Sequence, residues 1–229
     1  MANDYFQFRQ FTIHQNRCGM KVGTDGTLLG VWARGGSSIL DIGTGTGLIA
    51  LMMAQRFPVA RVVGIDIDSE AVEQAIENVK ASPFSNVEVL ETDVQSFRHV
   101  PFEAIVCNPP YFVVSLKCPD VQRTQARHTV SLSYRDLMAS VWRLLADDGE
   151  FSVVIPFDCK TRFESEALLT GFFKSRECAV KTTPRKQPRR YLLAFRKHMY
   201  ELELSEGIIE TTPNERSEWY RQLTKDFYL

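Results

Sequence analysis

From residue 38 onward the chain alternates short runs rich in Val and Ile with longer stretches of helical period, and that alternation leaves few folds open. Repeated βα units bury their apolar faces by placing helices on both sides of a mostly parallel sheet, so the expected class is α/β. Five runs read as strands: "SSILDIG", "RVVGIDI" (61–67), "NVEVLET" (86–92), "FEAIVCN" (102–108) and "GEFSVVIPF" (149–157), each bracketed by Gly, Pro, Asn or Asp. Between them, "GLIALMMAQR" (47–56) is apolar nearly all round and reads as a buried helix. "DSEAVEQAIENVKAS" starts a second helix at an Asp68 or Ser69 cap, with Ala71, Val72, Ala75, Ile76 and Val79 facing the sheet. "SLSYRDLMASVWRLLADDGE" turns Leu137, Val141, Leu144 and Leu145 inward and is expected to stop at Gly149, and "FESEALLTGFF" is a shorter amphipathic helix.

Beyond these, "SRECAVKTTP" and "RRYLLAFRK" read as strands of a hairpin with a long basic loop, "PRKQPRR". "YELELSEGIIE" suggests a further short strand pair, and "NERSEWYRQLTKDFYL" a terminal helix capped by Asn214. The first forty residues differ in character: "FQFRQFTIHQNRCGMKVGTDGTLLGVWA" alternates early, as a hairpin does, then becomes a short helix, and the whole piece is suited to covering something. Asp25, in "GTDG", first reads as a turn aspartate.

The remaining bounds are quickly set. A chain of 229 residues suits one domain of this class, and 44% hydrophobic with 24% charged residues excludes disordered and collagenous chains. The net charge of −1 provides no global field toward nucleic acid or membrane, so any basic patch must be local. Five cysteines, odd in number and without C-x-x-C or nearby His spacing, predict free thiols and no metal site. With no apolar leader and no run long enough for a membrane span, a reducing cytoplasm is the expected compartment.

The first strand ends in "LDIGTGTG", placing Asp41 before Gly43, Gly45 and Gly47. Glycines let the backbone turn sharply and let a ligand lie on the main chain, while the following helix points its N–H groups at it. The spacing is neither G-x-G-x-x-G nor a P-loop, so a different nucleoside ligand is implied. The second strand ends in "GIDID", where Asp66 stands where an acid can accept from ribose hydroxyls, and the third in "ETD", with Asp93 beside the place of an attached adenine. Three carboxylates at the carboxyl ends of successive strands mark the edge where open α/β sheets bind ligands.

"VCNPPYFV" (106–113) ends the fourth strand on the same edge. A planar exocyclic amine is a poor nucleophile because its lone pair is delocalised into the ring. If the Asn108 side-chain oxygen and the Pro109 main-chain oxygen accept its two N–H bonds, the nitrogen is drawn toward tetrahedral geometry with its lone pair aimed outward. Pro109 and Pro110 hold that acceptor pair rigid, and Tyr111, with Phe112, offers a face for a planar ring.

Taken together, "ILDIGTGTGLIALMMAQR", "VVGIDID" and "ETD" resemble the first three motifs of class I S-adenosylmethionine-dependent methyltransferases, and "NPPY" resembles the fourth motif of their amino-methyltransferase branch. The resemblance implies a Rossmann-like, seven-stranded, mostly parallel sheet of order 3-2-1-4-5-7-6, strand 7 antiparallel, with helices on both faces and the basic hairpin supplying strands 6 and 7. It implies S-adenosylmethionine as cofactor, contacted by Asp41, Gly43, Gly45, Gly47, Asp66 with Ile67, Asp93 with Val94, and Asn108. Residues 38–157 would be the cofactor-binding and catalytic core of a single domain, 1–37 a covering segment, and 158–229 the closing strands, hairpin and helix.

The motif is shared by enzymes acting on adenine N6, cytosine N4, guanine N2 and glutamine amides. No separate N-terminal domain or target-recognition insertion is visible, which disfavours protein glutamine and DNA substrates. Arg185, Lys186, Arg189 and Arg190 in the hairpin, flanked by Lys181, Arg196 and Lys197, and Arg123 and Arg127 after the catalytic motif, suggest a phosphate-contacting face. Along nearly its full length the chain resembles bacterial tRNA adenine-N6 methyltransferases that modify the adenine just 3′ of the valine tRNA anticodon. That resemblance implies a tRNA partner and makes Lys21, Thr24 and Asp25 candidate contacts to the methionine side of the cofactor. A guanine-N2 ribosomal RNA enzyme or a glutamine N5-methyltransferase of the same fold remains the alternative, and a monomer is expected.

Overall fold

The computed structural model describes residues 3–18, 21–109 and 132–229; Pro110, Tyr111, Phe112, Arg123 and Arg127 lie outside them. An N-terminal hairpin, β1 (Tyr5–Gln7) and β2 (Thr12–His14), leads to α1 (Thr24–Trp32). Then come β3 (Ser38–Ile42), α2 (Leu48–Arg56), β4 (Arg61–Asp66), α3 (Ser69–Ala81), β5 (Val87–Glu91) and β6 (Phe102–Cys107). After residue 131 follow α4 (Tyr134–Leu144), β7 (Leu145–Pro156), a single 3-10 turn (Phe157–Cys159), α5 (Lys160–Thr170), β8 (Phe173–Lys181) and β9 (Arg190–Arg196). The chain closes with β10 (Glu203–Ile208), a two-stranded ribbon of β11 (Glu210–Thr212) and β12 (Glu215–Arg216), and α6 (Glu218–Thr224).

Eight strands form the main sheet in the order β10-β8-β9-β7-β6-β3-β4-β5. From β3 to β9 this is the expected 3-2-1-4-5-7-6 order, with β9 antiparallel to both its neighbours. One strand is added: β10 pairs in parallel with β8, from Glu203 opposite Arg176 to Ile208 opposite Lys181, so "YELELSEGIIE" contributes a sheet strand rather than a strand pair of its own. Period-two alternation sorts the core. Leu40 and Ile42 face one apolar cluster with Phe102, Leu137, Phe151, Phe163 and Phe195, while Ile39 faces the other with Leu28, Met53, Val62 and Val154. A third cluster seats the N-terminal hairpin, through Phe8, Phe11 and Ile13, on Leu48, Leu51, Met52 and Phe227.

Three local expectations are corrected. Asn214 does not cap the terminal helix: it sits at φ 68° in the turn between β11 and β12, a conformation Asn tolerates, and the Ser217 hydroxyl caps α6 by accepting from Tyr220 N at 3.0 Å. Gly149 does not stop α4, which ends at Leu144 and passes directly into β7. Pairing there jumps from Phe102–Leu145 to Ala104–Glu150, and a Cβ at Gly149 would come within 2.8 Å of the Leu145 side chain and 3.0 Å of the Glu103 carbonyl, so the glycine serves a bulge. Finally, the inward face of α3 carries Gln74 and Asn78 with Ala71, Val72 and Ala75, whereas Ile76 and Val79 are half-buried.

A buried ion cluster ties the antiparallel part of the sheet together. Glu150 of β7, 3% exposed, accepts from Arg176 of β8 at 2.5 and 3.2 Å and from Arg196 of β9 at 3.1 and 3.2 Å. Arg34, just past α1, approaches the same carboxylate at 3.7 Å and bonds Glu203 of β10 at 2.8 Å. The Arg176 guanidinium also lies 3.9 Å from the centre of the Trp32 ring.

Candidate cofactor and catalytic site

The loop between β3 and α2 is built from three glycines at positive φ: Gly43 at 69°, Gly45 at 56° and Gly47 at 81°. A Cβ on Gly43 or Gly45 would meet no atom of the described residues within 4 Å, so glycine is needed there for the handedness of the turn and, among those residues, leaves the main chain in front of it open. The amides of Gly43 and Thr44 both donate to the Ile65 carbonyl, at 2.9 and 3.0 Å, which hangs the loop from the end of β4.

Asp66, the last residue of β4, takes the Gly45 amide on Oδ2 at 2.9 Å and the Asp68 amide on Oδ1 at 3.1 Å. Each oxygen keeps a second lone-pair direction, enough for two hydroxyl donors. Ile67, 59% exposed, stands beside it as an apolar side chain on the rim. Asp93 is half-buried and accepts from Gln95 N at 2.9 Å, while Val94 is buried in the core, its carbonyl taken by Arg143 at 2.9 Å.

Asp41 is placed differently from these two. It is wholly buried under the loop, and Oδ2 accepts from Thr44 Oγ1 at 2.7 Å and Ala50 N at 3.1 Å, whereas Oδ1 has no hydrogen-bond partner among the described residues. Burial pushes its carboxyl up to about 7, against the two hydrogen bonds, which pull the other way, and with a smaller push from Asp66. A buried acceptor with one vacant oxygen behind a glycine cradle is an observation that fits a ligand bearing a cationic or hydrogen-bonding group.

Because Ile42 pairs with Cys107, Asn108 follows β6 at the level of Gly43. Asn108 is half-buried and Pro109 buried. The Asn108 amide nitrogen lies 3.9 Å from where a Cβ of Gly26 would be, so α1 packs directly against the strand end. Asp25, in the first turn of α1, is bonded by Arg190 at the start of β9. Thr24 is half-buried, and Lys21 is exposed with Nζ 3.4 Å from the Asn3 carbonyl. The segment before α1 passes the acidic edge: the half-buried Cys18 thiol is pushed up to about 11, first by burial and then by Asp68, Asp66 and Glu70.

The methyltransferase small domain model matches residues 26–184, more than half of the chain. A Phocaeicola vulgatus protein named tRNA1(Val) (adenine(37)-N6)-methyltransferase is 48% identical over 100% of this chain and 99% of its own, and a Bacteroides thetaiotaomicron protein of the same name is 45% identical over the same shares. The chain belongs to the tRNA1(Val) (adenine(37)-N6)-methyltransferase family. In fold it also matches the crystal structure of a predicted O-methyltransferase from Agrobacterium tumefaciens, with a TM-score of 0.69 and 20% identity over 89% of this chain and 96% of the other.

For a member of this family the cations divide in a way that counting charges does not show. Arg185, Lys186 and Arg189 are exposed in the loop between β8 and β9. The other cations of that stretch have partners within the chain: Arg190 with Asp25 and Arg196 with Glu150 in partly buried pairs, and Lys181 with Glu206 at 2.9 Å and Lys197 with Asp147 at 3.2 Å at the surface. Sequence reasoning also missed Asn78 of α3, fully buried, which donates to the carbonyls of His14 and Thr46 and accepts from His14 N, each at 2.9 Å. One amide thus fastens the N-terminal hairpin to the glycine loop. Its only trace in the sequence is an asparagine on the stripe of Ala71 and Ala75, at helical spacing. Gln15 acts alongside it, accepting from Val22 N at 2.7 Å and donating to the Asn3 carbonyl at 2.9 Å. Among the described residues no helix is long and apolar enough to cross a membrane.

Proposed function

We propose that this chain transfers a methyl group from S-adenosylmethionine to the exocyclic N6 of an adenine in tRNA, the acceptor being adenine 37 of a valine tRNA, as the names of its relatives specify. The observation that carries the reading is the placement of Asn108 and Pro109 at the level of Gly43, so that an amine acceptor pair and a nucleoside-type loop share one sheet edge.

The residues present fit the cofactor. The open main chain of Gly43, Gly45 and Gly47 would take its methionine part, with Asp41 Oδ1 behind the loop, Thr24 and Asp25 closing from the start of α1 and Lys21 from the segment before it. The spare acceptor directions of Asp66 would take the ribose hydroxyls, and Ile67, Asp93 and Val94 would border the adenine. When bound, the cofactor supplies a methyl group on a sulfonium sulfur.

The protein's task is to prepare the nitrogen. Asn108 Oδ1 and the Pro109 carbonyl accept its two N–H bonds, drawing the nitrogen toward tetrahedral geometry so that its lone pair leaves the ring's π system and points at the methyl. As positive charge develops on the nitrogen the same acceptors stabilise it, and one proton then leaves to solvent. No strong base is required. Pro109 and Pro110 fix the carbonyl geometry, and Tyr111 stacks on the ring. Arg185, Lys186 and Arg189, with Arg123 and Arg127, hold phosphates, while Arg190 serves the site from within through Asp25. The chain works as one domain and as a monomer in the cytoplasm.

Wild-type protein and Asn108→Ala are to be incubated with bulk tRNA and methyl-labelled cofactor, followed by mass spectrometry of the nucleosides. The expected product is N6-methyladenosine, with a rate roughly 100- to 1000-fold lower for the variant, the range for removing one preorganised hydrogen-bonding group. Wild-type turnover by the variant would refute the mechanism, and N2-methylguanosine as the product would refute the acceptor.

A further inference from the structure

Past Pro156 the carboxyl edge of the sheet carries an aromatic pair that the methyl-transfer site does not use. Phe157 opens the 3-10 turn and is 50% exposed, while Phe151 and Phe163 on either side of it in sequence are fully buried. Its ring lies 6.3 Å from that of Tyr191 on β9, inclined by 29°, in a stacked arrangement. Tyr191 is braced in turn by the Lys160 ammonium, 4.7 Å from the ring centre, and Lys160 is fixed by Glu164 at 3.4 Å and Glu177 at 3.2 Å. The Phe157 amide donates to the Arg189 carbonyl at 3.1 Å. The exposed ring is therefore rigidly mounted, and it is mounted on the loop that carries the outward cations.

Its position relative to the acceptor site follows from register. Cys107 pairs with Val153, so Asn108 stands level with Val154, and Phe157 comes three residues later, just past the end of the adjacent strand β7. At about 3.3 Å per residue that is roughly 10 Å beyond Asn108 along the strand direction. The distance is too great to touch a ring held at Asn108 and suits a neighbouring nucleotide. Unpaired bases of RNA loops are bound by stacking on aromatic side chains, and a preorganised ring loses little freedom in doing so.

Resting on the tRNA reading above, we propose that Phe157, backed by Tyr191, is the stacking platform for an unpaired base next to the acceptor nucleotide, with Arg185, Lys186 and Arg189 taking the adjoining phosphates. Stacking tolerates any base, so the platform contributes affinity for an opened loop rather than choice of sequence.

The test uses the full chain, an unmodified valine tRNA transcript and four proteins: wild type, Phe157→Ala, Phe157→Leu and Phe157→Trp. The expected result is a KM for tRNA raised about tenfold or more in the Ala and Leu variants, near wild type in Trp, with cofactor affinity and kcat at saturating tRNA unchanged throughout. Leu retains apolar bulk without a π-face, so the Leu-to-Trp comparison decides between stacking and packing even if the Ala variant folds poorly. A wild-type KM in Phe157→Leu, or equal values for Leu and Trp, would overturn the proposal while leaving the methylation reading intact. Absence of methyl transfer to the transcript by wild-type protein would instead overturn the reading on which it rests.

Discussion

Asp41 and Glu150 are both carboxylates buried in one sheet, and the protein treats them in opposite ways. Glu150 is surrounded by Arg176, Arg196 and Arg34, and its two oxygens draw β7, β8, β9 and the end of α1 together. Asp41 has two neutral donors on one oxygen, nothing on the other, and a carboxyl raised to about 7. The first arrangement is complete within the folded chain. The second leaves a buried polar atom unsatisfied under a loop whose glycines leave open space in front, and such a deficit is tolerated where a ligand is to complete it. The difference separates a part of the sheet whose polar groups are satisfied within the fold from the part proposed above to bind the cofactor.

The sharpest way to break this contrast is Glu150→Gln, which removes the negative charge and leaves three guanidinium groups facing a neutral amide. The expected loss is about 3–5 kcal/mol, as for removing one partner of a buried ionic cluster, and chemical denaturation should show it. Asp41→Asn should do the reverse. The folded-state carboxyl is raised above its unfolded value, so the folded chain holds the proton longer, and the wild type loses stability as pH rises from about 4 to about 7. Asparagine removes that loss. The variant should therefore gain on the wild type between pH 5 and pH 8 by on the order of 3 kcal/mol, while binding the cofactor more weakly by calorimetry. A parallel pH dependence in the two proteins would show that Asp41 is not the strained carboxylate described.

A smaller effect belongs to Asn78, which joins the N-terminal hairpin to the glycine loop above Asp41. Asn78→Ala should cost about 1–3 kcal/mol, through stranded carbonyls at His14 and Thr46, and should raise the dissociation constant for the cofactor more than it lowers kcat. Hydrogen exchange at residues 5–14 would report the loosened hairpin directly; unchanged protection there would contradict the fastening role.

Much of the binding half was legible because local sequence determines it. "LDIGTGTG" predicted a turn that only glycine allows, and Gly43, Gly45 and Gly47 are all found at positive φ. Asp66 could be placed because strand, loop and helix follow one another along the chain. The Glu150 cluster could not be read, since Arg176 and Arg196 reach it through the pairing of three strands, and a charge count cannot distinguish an arginine facing solvent from one facing a buried carboxylate. Arg190 reads in the sequence as one more cation of the basic loop, and its bond to Asp25 of α1 is visible only in the folded chain. Asn78 escaped because periodicity identifies inward positions by apolarity, so the two polar residues on the inward face of α3 looked like surface. β10 was recognised as extended but not as a member of the main sheet, since its partner β8 is found only in the folded chain.

The seat of the N-terminal hairpin has a consequence for synthesis. Phe8 stacks on Tyr228 with ring centres 5.9 Å apart, Arg9 N donates to the Phe227 carbonyl at 2.8 Å, and the Arg9 side chain reaches the carbonyl of Tyr228, a residue translated 219 positions later. The hairpin is thus synthesised well before part of the surface it rests on. Until that surface arrives the hairpin lacks its full support, so a growing chain can form the glycine loop and the strands beside it before the hairpin is fully seated.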